Sequence, residues 1–443
     1  MGVDVAKMKK PILYSLPPAG NKIPLKAIAR AMKDGGRFSV GSFEPIKELL
    51  PAKYLLYLSS GRAALWLLLK ALSCIQPDKQ EVIIPAYTCP AVASAILRAG
   101  LKIVLCDINF DDFGLAKDEL EKKIGKNTLA VILVHLFGFP ANIGQVKESC
   151  RKYGIYLIED AAQAFGNSPV RPREAPPLKA GYTSVAQGES RASPGIQAGE
   201  SRDSLPDSPE SRLGFLGDAG FFSFGRGKPV TVLHGGILAT NSEEIFREAG
   251  KFYGNLNHSR FQNLRYGMLL GSYSVFSNPY LYWISQSMPF LHLGETIFEP
   301  DFQVSGGTSL AASLMIGICD GIENEKTVRR ENVQWYYENL DGISHIQSPP
   351  NPDFPYLRYP LFVEDKHLRD RILDQLTSNG TGATLFYPSP LNELPKLKEI
   401  LNDTNIYPNA RQMSNSLITL PVHAGVTSSN RQKILKIINN GVH

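Results

Sequence analysis

The sequence predicts an α/β fold with a largely parallel sheet, and three observations point to it. Between Lys53 and Tyr156 short apolar runs alternate with helix-like segments. Strands of that kind, separated by helices, form a parallel sheet buried on both faces. Polar residues at the ends of the runs, Asp107, His135 and Asp160, stand where such a sheet opens its ligand crevice.

Length and composition set the outer limits. The chain has 443 residues, which at roughly 100–200 residues per domain makes two to three domains with ample core. It carries 47 Lys+Arg against 42 Asp+Glu, for a net charge of +5, with 43% hydrophobic and 20% charged residues. This excludes a wholly disordered, coiled-coil or collagen-like chain. The charge leaves no nucleic-acid footprint but tolerates an anionic substrate. Five cysteines, Cys74, Cys89, Cys106, Cys150 and Cys319, form no CxxC or Cys/His cluster, so neither a metal site nor a disulfide framework is expected. The N-terminus lacks a signal-peptide run, and Ala6 stands where a myristoylation signal needs Ser or Thr. A cytoplasmic protein is the expectation.

In chain order, strands are expected at Glu81–Tyr87, Leu101–Ile108, Leu129–Gly138 and Ile155–Asp160. Helices are expected at Pro90–Arg98, Ala116–Ile124 and near Val146–Tyr153. Residues 167–213 break the pattern: 19 of these 47 residues are Pro, Gly or Ser, and seven are large aliphatic or aromatic. Such a composition cannot bury enough apolar surface to order itself, so a flexible surface loop is expected. Order resumes with a strand at Ala219–Phe224, a Gly-rich turn, a strand at Gly235–Thr240 and a Ser-capped helix at Ser242–Gly250.

Tyr266–Gly294 contains no Asp, Glu, Lys or Arg, but Pro, Ser, Asn and Gln interrupt it. It is a poor spanning helix and reads as a helical pair buried in the protein or at a subunit interface. A contact with a membrane surface is the alternative. From Ser309 a long helical pattern leads to a mixed unit: strand Tyr356–Val363, helix Lys366–Ser378, strands Ala383–Pro388 and Ser416–Val422, and helix Ser428–Asn439. The expected organisation is a large domain over 1–330, carrying the loop 167–213 and an aromatic insert at about 257–300. A small α+β domain follows over 331–443.

The chemistry-bearing residues are Asp160 with Gln163, then Ser223 with Lys228, then Gly235-Gly236. A strand-end Asp either caps the next helix or holds a cation, a metal or a protonated ring nitrogen. Lys228 lies between two Gly-containing turns, five residues after Ser223, and Pro229 blocks continuation of a central strand. In this order these residue types suit pyridoxal phosphate. The lysine amine forms a Schiff base with the aldehyde, the carboxylate pairs with the pyridinium nitrogen, and a hydroxyl with helix-start amides holds the phosphate.

Several segments together resemble the DegT/StrS-type sugar aminotransferases, fold type I pyridoxal-phosphate enzymes. They are SSGRAALWLLLKAL (Ser59–Leu72), EVIIPAYTCPAVASAILRAGLKIVLCDI (Glu81–Ile108), VHLFGFPANI (Val134–Ile143), IEDAAQAFG (Ile158–Gly166), GDAGFFSFGRGK (Gly217–Lys228), FYPSPL (Phe386–Leu391) and ITLPVHAGV (Ile418–Val426). The resemblance implies a mostly parallel seven-stranded sheet and a homodimer. It implies amino transfer from glutamate to a keto group on a nucleotide-linked sugar, for polysaccharide or glycoconjugate assembly. Lys228 would be the Schiff-base lysine and proton shuttle. Asp160 would pair with the pyridinium and Gln163 with the ring hydroxyl. Ser223 would bind the phosphate with the turn Gly61-Arg62-Ala63, and Cys89 stands where an aromatic ring commonly stacks on the cofactor.

The chain departs from that pattern in places. Arg62 replaces the usual Thr or Ser, Phe165 and Phe386 replace frequent histidines, and Phe302–Gly306 replaces an Asn-Tyr-Arg-Met segment. These changes fall on the substrate side. The alternatives are a lyase or dehydratase, against which Lys228 argues, and a non-catalytic component of polysaccharide assembly.

Overall fold

This computed structural model describes residues 14–20, 23–34, 47, 49–169, 212–256, 261–282 and 298–442. Two sheets organise them. The larger has seven strands: β1 (Tyr54–Leu58), β2 (Glu81–Pro85), β3 (Lys102–Cys106), β4 (Thr128–Val134), β5 (Tyr156–Asp160), β6 (Ala219–Ser223) and β7 (Gly236–Thr240). Their order across the sheet is β1-β7-β6-β5-β4-β2-β3. Every pairing among β3, β2, β4, β5 and β6 is parallel, and β7 is antiparallel to both its neighbours. The seven-stranded, mostly parallel sheet expected from the sequence is present.

The apolar runs are continuous because both faces are covered. All seven residues of β4 are buried. Ala130 and Ile132 point into one hydrophobic cluster, while Val131 and Leu133 point into another. A third cluster joins Tyr57, Phe222 and Ile237 to the helix Ser309–Cys319 and to Tyr266 and Leu270 of the helix Phe261–Phe276. The helices begin where their caps dictate. Ser60, Asn142 and Ser242 accept the amides of Ala63, Gln145 and Ile245, each satisfying an amide with no intrahelical partner.

The smaller sheet holds β8 (Ile346–Gln347), β9 (Tyr359–Val363) and β10 (Leu417–Leu420) in the order β10-β9-β8. It shares a hydrophobic cluster with the large sheet, running from Leu67, Ile84 and Ile132 through Tyr359 and Leu417 to Ile438. Position 330 lies within the continuous helix Ile322–Leu340.

Some expectations need correction. Ala383–Pro388 is not a strand: Thr384 makes a single bridge to Thr419, and Phe386 turns out of extended geometry at φ 72°. The long helical pattern from Ser309 is two helices, Ser309–Cys319 and Ile322–Leu340, broken at Asp320-Gly321. The helix Pro408–Ser416 was not foreseen. Of the aromatic insert, Phe261–Phe276 is a helix that buries Tyr266 and Leu270 and exposes Met268 and Leu269. Residues 283–297 lie outside the described residues. No helix among the described residues is long and apolar enough to cross a membrane.

Most of the expected loop, residues 170–211, also lies outside the described residues. Its two ends meet: the Leu213 amide donates to the Asn167 carbonyl at 3.0 Å. Beside that closure sits Glu159, fully buried. Its carboxylate accepts the amides of Leu216 at 2.6 Å, Gly217 at 2.7 Å and Gly214 at 2.9 Å, and lies 3.0 Å from His135 Nε2. The Ala141 amide donates to His135 Nδ1 at 3.2 Å, so the ring proton is on Nε2 and is donated to Glu159. His135 is thereby a satisfied structural histidine.

Asp107, the third strand-end polar residue, joins the two sheets' surroundings. Its carboxylate accepts the amides of Ile108 and Ala410 at 2.9 Å and of Asn409 at 3.0 Å. The last two open the helix Pro408–Ser416, so Asp107 caps a helix of the C-terminal unit from the tip of β3. Burial pushes its acidity toward a higher pKa, and the three amides oppose the shift. Asp107→Ala strands those amides, and a loss of about 2 kcal/mol is expected. Chemical denaturation followed by fluorescence and circular dichroism measures it, and a change under about 0.5 kcal/mol would remove Asp107 from this role.

Candidate active site

The sheet places the expected residues by strand adjacency. β5 and β6 are parallel neighbours, with Asp160 opposite Phe221. Asp160 therefore ends one strand where Ser223 ends the next, and the Gly225–Lys228 turn follows directly. That turn is held by Thr231, whose hydroxyl accepts the Lys228 amide at 3.3 Å and lies 3.0 Å from the Lys228 carbonyl. Gly227 at φ 75° gives the turn its left-handed corner.

Asp160 is 6% exposed. Its carboxylate accepts the Ala162 amide at 3.0 Å. Burial pushes its pKa up, and the Lys228 ammonium is the largest influence pulling it down. Cys89, the residue before the helix Pro90–Arg98, feels both groups: burial raises its thiol pKa, Lys228 lowers it and Asp160 raises it again. Asp160 is thus buried within electrostatic reach of Lys228 and Cys89, both half-buried.

Gln163 lies on the turn after Asp160 and is 5% exposed. Its carboxamide oxygen accepts the Phe137 amide at 2.9 Å, and its nitrogen donates to the Tyr387 hydroxyl at 3.4 Å. On the other side of the pocket, Gly61 opens the helix Gly61–Ile75 against Ser223. A Cβ on Gly61 would lie 2.7 Å from the Ser223 Cβ and 3.2 Å from its Oγ. Only glycine lets this helix start close on the serine. The result is a hydroxyl beside a helix N-terminus, the geometry that receives a phosphate.

Two members of the expected turn do other work. The Arg62 side chain faces away from Ser223: it pairs with Glu299 at 3.0 Å and lies over the Phe302 ring at 4.7 Å. Its side chain is 31% exposed. The Ala63 amide is already given to Ser60 Oγ at 3.2 Å. Gly61 and the Arg62 backbone are what remain of that expectation. The segment after Phe302 pairs along β1 through Leu58–Gly306 and a Ser59–Ser305 hydrogen bond.

Sequence reading missed Tyr387. Its neighbour Phe386 attracted notice as a replaced histidine, yet it is the tyrosine that enters the pocket. Burial, then Cys89 and Asp160, push its hydroxyl pKa well above the ordinary value. The signal was in the sequence, in FYP, but its direction depends on the positive φ at Phe386.

Comparison with known proteins gives a consistent picture. A family model described as the DegT/DnrJ/EryC1/StrS aminotransferase family matches residues 33–268 and 308–439. The chain is 23% identical over 397 residues to GDP-perosamine synthase of Vibrio cholerae, covering 89% of this chain and 88% of that protein. It is 25% identical over 386 residues to a UDP-N-acetyl-3-dehydro-alpha-D-glucosamine 3-aminotransferase of Acidithiobacillus ferrooxidans, covering 87% and 83%. In fold it is similar to PseC of Helicobacter pylori, an aminotransferase involved in the biosynthesis of pseudoaminic acid, with a TM-score of 0.68 at 18% identity. That match covers 98% of this chain and 99% of that one.

Two expectations follow from the geometry. Gly61→Ala should weaken binding of pyridoxal phosphate about tenfold or more, because the added methyl collides with the Ser223 Cβ and pushes the helix start away from the serine. Arg62→Ala should change it less than about threefold, since that side chain is directed elsewhere. Absorbance titration of the cofactor-free protein reads both, and the reverse ranking would refute this assignment of the cradle. Asp160 supplies a pH test. A carboxyl whose folded pKa is raised adds stability below its unfolded pKa and loses it as pH rises through the folded value. Cofactor-free Asp160→Asn should therefore gain thermal stability over wild type at neutral pH and show no gain below about pH 4.

Proposed function

Because the chain belongs to the DegT/DnrJ/EryC1/StrS aminotransferase family, we propose that it moves an amino group from glutamate to a keto group on a nucleotide-linked sugar. The sugar would serve polysaccharide or glycoconjugate assembly. Support for the acceptor class comes from the relatives, named as acting on GDP- and UDP-linked sugars. The observation that carries the reading is the placement of buried Asp160 at the end of β5 under the electrostatic influence of Lys228, in the turn that follows the neighbouring strand β6.

Pyridoxal phosphate is the cofactor of this family, and the residues present fit it. Gly61 packs so closely on Ser223 that a Cβ there would meet the Ser223 Cβ at 2.7 Å, which brings the helix start and the serine hydroxyl together. A buried carboxylate and a lysine stand at the other end. When bound, the cofactor supplies an aldehyde for an amine and a ring that withdraws electrons from the carbon bearing the transferred nitrogen.

The protein's own groups do the rest. Lys228 would hold the cofactor through its amine and would take and return a proton at the substrate carbon. Asp160 holds its negative charge against the ring nitrogen. Burial raises its pKa, and a cation beside it would favour the ionised form again. Ser223 and the backbone of Gly61 and Arg62 take the phosphate, and Gln163 takes the ring hydroxyl. Burial of Asp160 and Gln163 keeps water from these contacts. A cytoplasmic homodimer, with the unit after about residue 330 as its small domain, completes the proposal. The exposed Met268, Leu269 and Tyr280 support a covered apolar face.

Purified protein should be yellow, and glutamate should bleach it. Mass spectrometry of a nucleotide keto-sugar incubated with both should show the mass of the amino sugar. Lys228→Ala should lose the colour and about a thousandfold or more of the turnover. Transamination by that variant at the parent rate would end the reading.

A further inference from the structure

The Gln163 carboxamide is held at both ends, by Phe137, whose own backbone is in an unusual conformation, and by Tyr387, which follows a residue in one. Its oxygen accepts the amide of Phe137, which has φ 58°. Its nitrogen donates to the hydroxyl of Tyr387, which follows Phe386 at φ 72°. The rings of Phe137 and Phe386 close the circuit, with centroids 4.9 Å apart. Non-glycine residues at positive φ persist only where surrounding structure enforces them, and such residues cluster at functional sites. Here one of them bonds the carboxamide and the other precedes the tyrosine that does.

Tyr387 is itself clamped. The Tyr87 hydroxyl donates to the Tyr387 carbonyl at 3.0 Å and accepts the Tyr387 amide at 3.4 Å. The two rings meet edge to face with centroids 5.5 Å apart. Tyr387 is 5% exposed, and its hydroxyl stands among Cys89, Asp160 and Tyr87, all of which disfavour its ionisation. The hydroxyl therefore keeps its proton while accepting from Gln163. Tyr387 belongs to the C-terminal part of the chain, near the Thr384–Thr419 bridge to β10, whereas Gln163 follows β5.

We propose that Tyr387 is a positioning residue for the cofactor: it fixes the Gln163 carboxamide so that its remaining N–H donates to the phenolic oxygen of the ring, and so ties the cofactor pocket to the C-terminal unit. The proposal rests on the cofactor reading above. A donor on the phenolic oxygen draws off negative charge that would otherwise hold the proton on the nitrogen of the lysine–cofactor linkage. Loosening that donor therefore raises the pH at which the linkage loses its proton.

Tyr387→Phe removes the hydroxyl and leaves the Tyr87 bonds to the Tyr387 backbone in place. It should raise the pH midpoint of the lysine-bound cofactor's absorbance by about half a unit to one unit. It should also weaken pyridoxal phosphate binding about three- to tenfold. In a Gln163→Ala background the same substitution should add almost nothing, because the hydroxyl acts through that carboxamide. Tyr87→Phe, which loosens the clamp and leaves the Tyr387 hydroxyl, should shift the midpoint in the same direction by less. Unchanged midpoint and affinity in Tyr387→Phe would overturn the proposal, as would an undiminished shift in the Gln163→Ala background. A wild-type protein that takes up no pyridoxal phosphate would instead sink the cofactor reading.

Discussion

The parallel pairing of β5 with β6 is the constraint on which the site depends. It brings Asp160 and Ser223 to one edge of the sheet although more than sixty positions separate them in the chain. The intervening chain leaves after Asn167 and returns at Leu213, and the backbone bond between those two residues closes the gap. Glu159 then fixes the return. One buried carboxylate gathers three amides from Gly214–Gly217 and the His135 ring. A buried carboxylate with four donors is well satisfied, so the strand end that carries Asp160 cannot shift without disrupting that set.

A division of labour follows along the strand. Glu159 and Asp160 are adjacent and both buried, yet point to opposite faces, as strand geometry requires. The first is saturated by the protein's own donors. The second has one backbone amide and a neighbouring ammonium, and burial still wins in its raised pKa. That imbalance marks a carboxylate in need of a cation. Asp107 and His135 sit at equivalent strand ends and are fully engaged in capping and structural bonds. Position at a strand end was a shared signal, and the partners decided which residue is available for chemistry.

The legible part of the protein was what period and punctuation encode. Apolar runs bounded by Gly, Pro and Asn located β2 to β7 to within a residue or two, apart from the C-terminal ends of the runs. The helix Lys366–Ser378 was read at its bounds, because Asp365 caps it and Leu368 starts its apolar face. Ala383–Pro388 misled because its β-branched and aromatic residues have strand character. A positive φ at Phe386 turns the chain inward instead, a tertiary demand that overrides propensity. The helix Pro408–Ser416 is polar and short. It exists because Asp107, some three hundred positions earlier, caps it.

The sequence by itself determined the layered α/β class, the starts of strands β2 to β7 and the residue types of the site, since these follow from local periodicity and from the order of Asp, Gln, Ser and Lys. The tertiary structure alone decided which side chains face the pocket. It turned Arg62 outward to Glu299, because a guanidinium on the exposed first turn finds a carboxylate and an aromatic face there. It brought Tyr387 inward to Gln163 across more than two hundred positions. Such choices depend on contacts between distant segments, and a linear pattern carries no record of them.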